Sequence, residues 1–433
     1  MNKIFKQSKT YKILNFLFLN SDKNIFDGSR LLKFLKWSNY PKLSMIFFIL
    51  SLICFWYETF FAKVGLGLVQ SLNFASIFLI FALLFCDKKK LRSTRPVIYL
   101  LIFSLSLLLS GLFAAINGLE LGMTVIGILL FMQFVLTFIV ASTYQNKYLL
   151  INMALVLTVP LLLVGIFQGF WGGQTSDLWV SSSETLVDVR VFGFSGSPNV
   201  FGGLLMITSI MAFFAFLDKR KWYYLAYEVP TLVVLVLTFS RSAWLGLILG
   251  VAIALLIKNW RLVILAPFSL LALFIPSVRQ RLLTPMSQSY LVDAAIDGRI
   301  WSFNSAIEIY KTAPILGTGP GSYGGETAIL YDSPVYLRGM QNGYVALAYT
   351  DNQWVQILVQ TGLIGSLSLA GFFISYFVNN LRQYKRSGSS LCLGALAALI
   401  ALFVTGLFEN ILEFGTVSVL VGAYLGLGNN YEK

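Results

Sequence analysis

Long apolar runs dominate the chain and are separated by short polar segments. Most runs approach twenty residues and show no alternation of apolar and polar positions. This pattern predicts an all-α polytopic membrane protein of about 12 transmembrane helices, because helices satisfy their own backbone hydrogen bonds in a bilayer. The predicted spans lie near residues 44–61, 67–86, 97–116, 123–141, 149–168, 199–217, 223–239, 242–257, 262–278, 353–377, 391–408 and 411–428.

The composition agrees with this interpretation, since 57% of the residues are apolar, 12% are charged and the mean hydropathy is +0.76. The chain contains no histidine, which removes imidazole from every catalytic or metal-binding scheme. Cys54, Cys86 and Cys392 fall in apolar runs, and we interpret them as small core residues that form neither disulfides nor metal sites.

In a soluble protein the net charge of +13 would suggest a nucleic-acid partner. In a membrane protein the lysines and arginines must first be assigned to one side of the membrane or the other. With the N-terminus inside, about three quarters of the 32 lysines and arginines fall in cytoplasmic segments, as the positive-inside rule requires. We therefore expect both termini to be cytoplasmic, and we expect no nucleic-acid partner.

This topology divides the chain into four parts. Residues 1–43 form a basic amphipathic cytoplasmic segment or, alternatively, a partly disordered positive tail. Residues 44–278 hold spans 1–9 with an outer loop at 169–198, and residues 279–352 form an extracytoplasmic cap loop between spans 9 and 10. Residues 353–433 hold spans 10–12 and a short cytoplasmic tail.

The cap loop is too long for a structureless connection, so we expect it to be helical. Ile300, Phe303, Ile307 and Tyr310 recur at helical spacing, which predicts an amphipathic helix that lies along the membrane surface or packs on the bundle. The glycines at 317–321 are preceded by no predicted strand and followed by no Lys-Ser/Thr pair. They are therefore predicted to be turn residues and no phosphate loop.

Several polar side chains gather on the predicted outer face. Ser197 and Pro198 suit the start of a helix, but that role does not explain Arg190 or Asn199 nearby. Arg241 follows Ser240 where two spans meet, so its guanidinium either extends to the membrane interface or faces a wet cavity and an anion.

Two further polar residues begin predicted helices. Arg299 lies in the first turn of the cap helix, where an anion is attracted by the guanidinium and the helix dipole; an ion pair with Asp297 or Glu308 is the alternative. Asp351, followed by Asn352 and Trp354, precedes the tenth span and is interpreted either as a helix cap or as a catalytic carboxylate.

The order of these motifs over residues 149–378 resembles the O-antigen ligase and polysaccharide polymerase superfamily. The matching residues are Arg190, Gly193, Pro198 and Asn199; Ser240 and Arg241; Arg299, Ile300 and Trp301; Pro314, Gly317 and Gly319; and Asp351, Asn352, Gly362 and Gly365. Ligases of this superfamily carry a His-Asn pair where this chain has Asp351-Asn352, which favours a polymerase over a ligase.

The resemblance implies glycan transfer from a polyprenyl diphosphate, usually undecaprenyl diphosphate, to an acceptor hydroxyl at the outer face of the cytoplasmic (inner) membrane. Exopolysaccharide, capsule and O-antigen synthesis use this reaction. No metal or nucleotide cofactor is implied. The expected partners are the lipid-linked glycan, membrane lipids and other polysaccharide assembly proteins.

The resemblance assigns Arg241 and Arg299 to the donor diphosphate, which suits the bidentate match of guanidinium to phosphate. Without histidine a carboxylate is the natural proton acceptor, and we predict Asp351 as the general base. These three are the predicted catalytic residues. The predicted substrate-binding residues are Arg190, Asn199, Ser240, Asn352 and Trp354.

A secondary transporter of a small anion such as bicarbonate is the main alternative, with a scaffold role third. Transporters place charged residues near the membrane midplane in broken helices. Here only Glu228, two residues before Pro230, lies deep in a predicted span, whereas the arginines gather on the predicted outer face. This distribution favours an enzyme.

Overall fold

The computed structural model describes residues 40–57, 68–87, 94–172, 189–259, 261, 274–284, 299–336 and 350–429. Within these ranges the chain is helical and contains no β-strand. The predicted N-terminal segment lies almost entirely outside the described residues. The helices are α1 (Pro41–Trp56), α2 (Leu68–Phe85), α3 (Arg95–Ile116), α4 (Leu121–Ser142), α5 (Lys147–Trp171), α6 (Pro198–Lys219), α7 (Trp222–Leu237), α8 (Arg241–Lys258), α9 (Pro276–Leu283), α10 (Arg299–Thr312), α11 (Glu326–Leu330), α12 (Gln353–Ser387), α13 (Ser390–Thr405) and α14 (Gly415–Asn429).

The helices α1–α8 and α12–α14 coincide with the predicted spans 1–8 and 10–12. Most of the ninth predicted span, at 262–273, lies outside the described residues. Among the described helices, α3, α4, α5, α6, α8 and α12 are long and apolar enough to cross a membrane. The chain is therefore a multi-pass membrane protein. The number of about twelve spans and the cytoplasmic termini stay predictions.

The centre of the bundle is formed by α6, α13 and α14, which are buried along almost their whole length. The other helices surround them, with α8 against α13 and α4 against α14. Gly250 of α8 lies directly against the backbone of Ala397, so that a side chain larger than hydrogen has no room. Small residues allow such close helix contacts where no hydrophobic effect drives association.

The helix α12 is broken at Gly362, whose φ of 62° and ψ of −164° are open only to glycine. The preceding segment 313–319 closes the break by pairing with both half-helices. Its N–H groups donate to the last carbonyls of the first half, and its carbonyls accept from the first N–H groups of the second half: Thr318 N to Val359 O (2.9 Å), Gly319 N to Gln360 O (3.1 Å), Leu363 N to Pro314 O (3.0 Å) and Ile364 N to Ile315 O (3.3 Å).

These bonds explain why glycine is needed both in the turn at 317–321 and at the break of α12, Gly362. Gly317, Gly319 and Gly321 have positive φ values, which confirms them as turn residues. A Cβ on Gly317 would overlap the backbone of Gln360, and one on Gly362 would overlap that of Ile315. The four bonds therefore pair backbone groups that the break in the helix would otherwise leave without partners, as an apolar environment requires.

The described part of residues 279–352 contains α9, α10 and α11, and it packs on the ends of α3, α4 and α12 through a second apolar cluster. The predicted helix α10 is present and packs on the bundle. Phe303 and Ile307 are exposed, whereas Ala306 and Ile309 are buried. The periodicity identified the helix, while small residues at Ser302 and Ser305 let the opposite face approach the bundle.

Candidate functional site

The turn between α7 and α8, residues 238–241, is the centre of an arginine cluster. Arg190 Nε donates to the carbonyl oxygen of Thr238 at 3.0 Å, and Arg281 Nε donates to that of Phe239 at 3.2 Å. Arg241 Nη1 donates to the carbonyl oxygen of Arg281 at 3.1 Å. Carbonyls at a helix C-terminus lack intrahelical partners and carry partial negative charge, so they position guanidinium groups well.

The backbone of this turn is held in an unusual conformation. Phe239 has a φ of 51°, in the left-handed region that costs a non-glycine residue about 1–2 kcal/mol. Its aromatic ring packs on Trp244, and its carbonyl accepts from Arg281. Ser240 is buried beside it, and its hydroxyl lies 3.3 Å from that of Ser242. Packing and the arginine contacts together stabilise this conformation.

Arg190 is 3% exposed, although it lies in the connection between α5 and α6. Burial lowers the pKa of Arg190 to about 10; the negative charge of Glu409 raises the pKa again, and the positive charge of Arg241 lowers it. These effects show that Arg190, Arg241 and Glu409 are close enough to interact electrostatically. At neutral pH Arg190 stays charged.

Asn199 links Arg190 to Glu409. Its Oδ1 accepts from Arg190 Nη2 at 2.7 Å, and its Nδ2 donates to Glu409 Oε1. Ser197 caps α6 through the backbone N–H of Asn199, and Pro198 occupies the first helical position, as predicted. The cap therefore fixes the helix start, and the Asn199 side chain bridges two charged groups.

The loop between α13 and α14, residues 406–414, joins this cluster to the start of α12. Glu409 contacts Asn199, while the next residue, Asn410, accepts from the backbone N–H of Asn352 at 3.0 Å. Asn352 Nδ2 in turn donates to the carbonyl oxygen of Leu407 at 3.2 Å. Asp351 directly precedes Asn352, so this loop places Asp351 and the arginine cluster at the same end of the bundle.

The helix-cap interpretation of Asp351 is wrong. Asn352 is the cap: its Oδ1 accepts from the backbone N–H groups of Trp354 and Val355, both at 3.1 Å. Asp351 lies before the helix with a φ of 47°, which is tolerated by aspartate more readily than by most residues. Its side chain is partly exposed and is not needed to cap α12.

The other predicted site residues have the following positions. Trp354 donates its indole N–H to the carbonyl oxygen of Phe403 at 3.1 Å and stacks on the Phe403 ring, so its polar group serves the contact between α12 and α13. Arg299 begins α10, and its side chain lies outside the described residues. Of the two alternative partners of Arg299, Glu308 pairs with Lys311 at 2.7 Å, and Asp297 lies outside the described residues.

The sequence interpretation did not place Arg281 and Glu409 in the site. Both belong to segments that the predicted topology puts outside, Arg281 after span 9 and Glu409 in the turn between spans 11 and 12. Considering every charged residue in those turns would have found them. What sequence could not show is that the turns at 238–241 and 406–414 are linked through Asn199 and Arg190.

The arrangement can bind an anion and move a proton. Guanidinium groups suit phosphate oxygens because their planar N–H forks match them bidentately and they stay charged when poorly hydrated. A carboxylate at the same end of the bundle can accept a proton from a hydroxyl.

Comparison with protein families matches residues 226–370 to the family described as O-antigen ligase. The match covers Arg241, Arg281, Arg299 and Asp351, whereas Arg190, Asn199 and Glu409 lie outside it. A search of curated proteins found no match. The matched region joins the α7–α8 turn, the cap and the broken helix α12 in one unit, and it confirms the resemblance drawn from the motifs. Residues 226–370 of this multi-pass membrane protein are therefore similar to the O-antigen ligase family.

Proposed function

We propose that this protein transfers glycan units from a polyprenyl-diphosphate donor to an acceptor hydroxyl at the outer face of the cytoplasmic membrane. The observation that carries the proposal is the convergence of Arg190, Arg241 and Arg281 on the α7–α8 turn. A single arginine at the end of a membrane helix commonly extends to the interface instead. Several guanidinium groups at one turn suit a ligand with several negative charges, and a diphosphate is such a ligand.

In the proposed reaction the acceptor oxygen forms a bond to the anomeric carbon of the donor glycan. The bond between that carbon and the diphosphate oxygen breaks, and polyprenyl diphosphate leaves with the bonding electrons. Negative charge grows on the leaving oxygens, where Arg241 and Arg281 stabilise it. Donors fixed in place before the reaction commonly contribute about 3–4 kcal/mol each to such a transition state.

The acceptor hydroxyl must lose its proton as the new bond forms, and Asp351 accepts it in this mechanism. A carboxylate suits this role because the sequence contains no histidine. Glu409 has a different role: through Asn199 it orients Arg190 and balances its positive charge. Arg299, at the start of α10, is proposed as a further donor to the diphosphate.

Within the family, we propose that the acceptor is another glycan unit, so that the protein is a polymerase in exopolysaccharide, capsule or O-antigen synthesis. The Asp351-Asn352 pair supports this choice over ligation to a lipid or another acceptor. Membrane lipids and other assembly proteins are the proposed partners beside the lipid-linked glycan.

The test is a reconstitution of the purified protein in lipid nanodiscs with a synthetic polyprenyl-diphosphate oligosaccharide. Gel analysis should show a ladder of longer lipid-linked products, and Arg241→Ala should abolish it while the protein stays folded. Transfer only to a lipid A-core acceptor would assign the ligase reaction instead. Turnover of the Arg241→Ala variant at the wild-type rate would refute the diphosphate assignment.

A further inference from the structure

Glu413 is a second carboxyl group of the 406–414 loop, and it is 7% exposed. Its Oε2 accepts from Gln356 Nε2 of α12 at 3.0 Å, and the backbone N–H groups of Glu326 and Thr327 donate to it from the start of α11. A Cβ on Gly325 would overlap this carboxyl, so glycine is required for the contact. Glu413 therefore joins α11, α12 and the 406–414 loop.

The contacts around Glu413 lead directly to the site. Residues 323–330 are called the docking segment below. Within it the carbonyl oxygen of Gly324 accepts from Asn410 Nδ2 and from the backbone N–H of Thr350, at 3.0 Å in the second case. Asn410 follows Glu409, and Thr350 precedes Asp351. A displacement of the docking segment would therefore disturb both carboxylates of the proposed site.

We propose that Glu413 is a positioning residue that fastens the docking segment to the 406–414 loop in its neutral form and releases it when it ionises. The consequence of this release for catalysis rests on the proposed function. The fastening itself can be measured without any activity.

The groups around this carboxyl decide which protonation state favours the docked structure. Burial raises the pKa of Glu413 to about 7; the N–H of Gln356 lowers it, the charge of Glu326 raises it, and the backbone N–H groups of Thr327 and Glu326 lower it. Gln356 is uncharged, so Glu326 is the facing charged group among these contacts. Burial outweighs the donors, and the docked state binds the proton more tightly.

The direction of the pH effect follows from proton linkage. An exposed glutamate has the ordinary pKa of 4.5, whereas the docked Glu413 has a pKa of about 7. Docking is therefore strongest below pH 4.5, weakens as pH rises toward 7 and is constant above 7. The ratio of docked to released segment should fall by up to about tenfold per pH unit across this window.

Hydrogen exchange of the full-length protein in nanodiscs, followed by mass spectrometry from pH 5 to pH 8, tests the proposal. After correction for intrinsic exchange, the protection of the docking segment should fall between pH 5 and 7 in the wild type. Glu413→Gln, which stays neutral, should give a level profile. Glu308→Gln changes a partly exposed carboxylate of α10, which pairs with Lys311, and should leave the wild-type profile unchanged.

Glu326→Gln provides a second arm that does not depend on the folding of the first variant. Removal of the facing negative charge lowers the pKa of Glu413, so the loss of protection should move to lower pH. Identical profiles for the wild type and Glu413→Gln, or for the wild type and Glu326→Gln, would overturn the proposal. If the protection profiles change as expected but the protein makes no polymer, the role of Glu413 in fastening the docking segment stands and the proposed function is refuted.

Discussion

Asn410 Oδ1 accepts the backbone N–H of Asn352 at 3.0 Å, joining two positions that are 58 residues apart in the chain. The residues beside them are the two carboxylates of the proposed site, Glu409 and Asp351. Together with the bond from Asn352 Nδ2 to the Leu407 carbonyl, this bond connects the arginine cluster, which Glu409 reaches through Asn199, to the proposed base. Four predictions follow from this arrangement, in addition to the pH test of Glu413.

Arg281→Ala should reduce the rate of glycan transfer about 10²–10³-fold, since removal of one fixed donor has effects of this size. Arg281 contributes both its charge and the hydrogen bond that orients the Phe239 carbonyl. The measurement is polymer formation in nanodiscs at saturating donor. Arg279→Ala is the matched control, because Arg279 is exposed on the same short helix and should retain full activity. Equal activity of the two variants would exclude Arg281 from the site.

Asp351→Asn should lower the transfer rate by at least about 100-fold without loss of stability, because the amide keeps the size of the side chain and removes its basicity. Asp332→Asn is the control: Asp332 also has a positive φ, of 44°, and lies in the cap, but it has no role in the proposed mechanism. Initial rates and thermal unfolding should be measured together. A fully active Asp351→Asn enzyme would require a different base.

Asn352→Ala should destabilise the protein by about 1–2 kcal/mol, because it removes the cap of α12. Asn352→Asp keeps the capping oxygen and loses only the donor to the Leu407 carbonyl, so it should recover most of the loss. Thermal unfolding in detergent gives the comparison. If both variants unfold at the wild-type temperature, the cap is not what holds this end of α12.

Gly362→Ala should be more destabilising than Gly388→Ala, although both glycines have positive φ. Gly388 ends α12 with φ 67° and open space around it, so alanine there adds mainly backbone strain, of order 1 kcal/mol. At Gly362 the new methyl group would also overlap Ile315 and separate the paired segment from the helix break. Comparison of the two unfolding temperatures tests this difference. Equal destabilisation would show that the break can rearrange.

The sequence predicted the helices well because each one is a local apolar run long enough to show its own pattern. It also predicted the Ser197 cap of α6 and the turn glycines at 317–321, which depend only on neighbouring residues. It predicted the helix α10 but not which of its faces packs on the bundle: Phe303 and Ile307 are exposed, while Ser302 and Ser305 are buried. Small polar residues can pack as closely as apolar ones, and periodicity alone does not reveal that.

The motif order also pointed to the family whose model matches residues 226–370, and Arg190, Asn199, Ser240 and Arg241 do lie close to one turn. The sequence did not include Arg281 or Glu409 in this group. Each is an ordinary charged residue beside an apolar run, and its importance comes from a contact with a turn far away in the chain.

By itself, the sequence determined that the chain is a helical membrane protein with its candidate chemistry in the polar segments between helices, because hydrophobic patterning and helix starts are local properties. Only the tertiary structure decided that Asn352 and not Asp351 caps α12, that Glu409 balances Arg190 through Asn199, and that Glu413 binds the start of α11. Those relationships depend on which helix ends are adjacent in the bundle, and the packing of the central helices α6, α13 and α14 sets that adjacency.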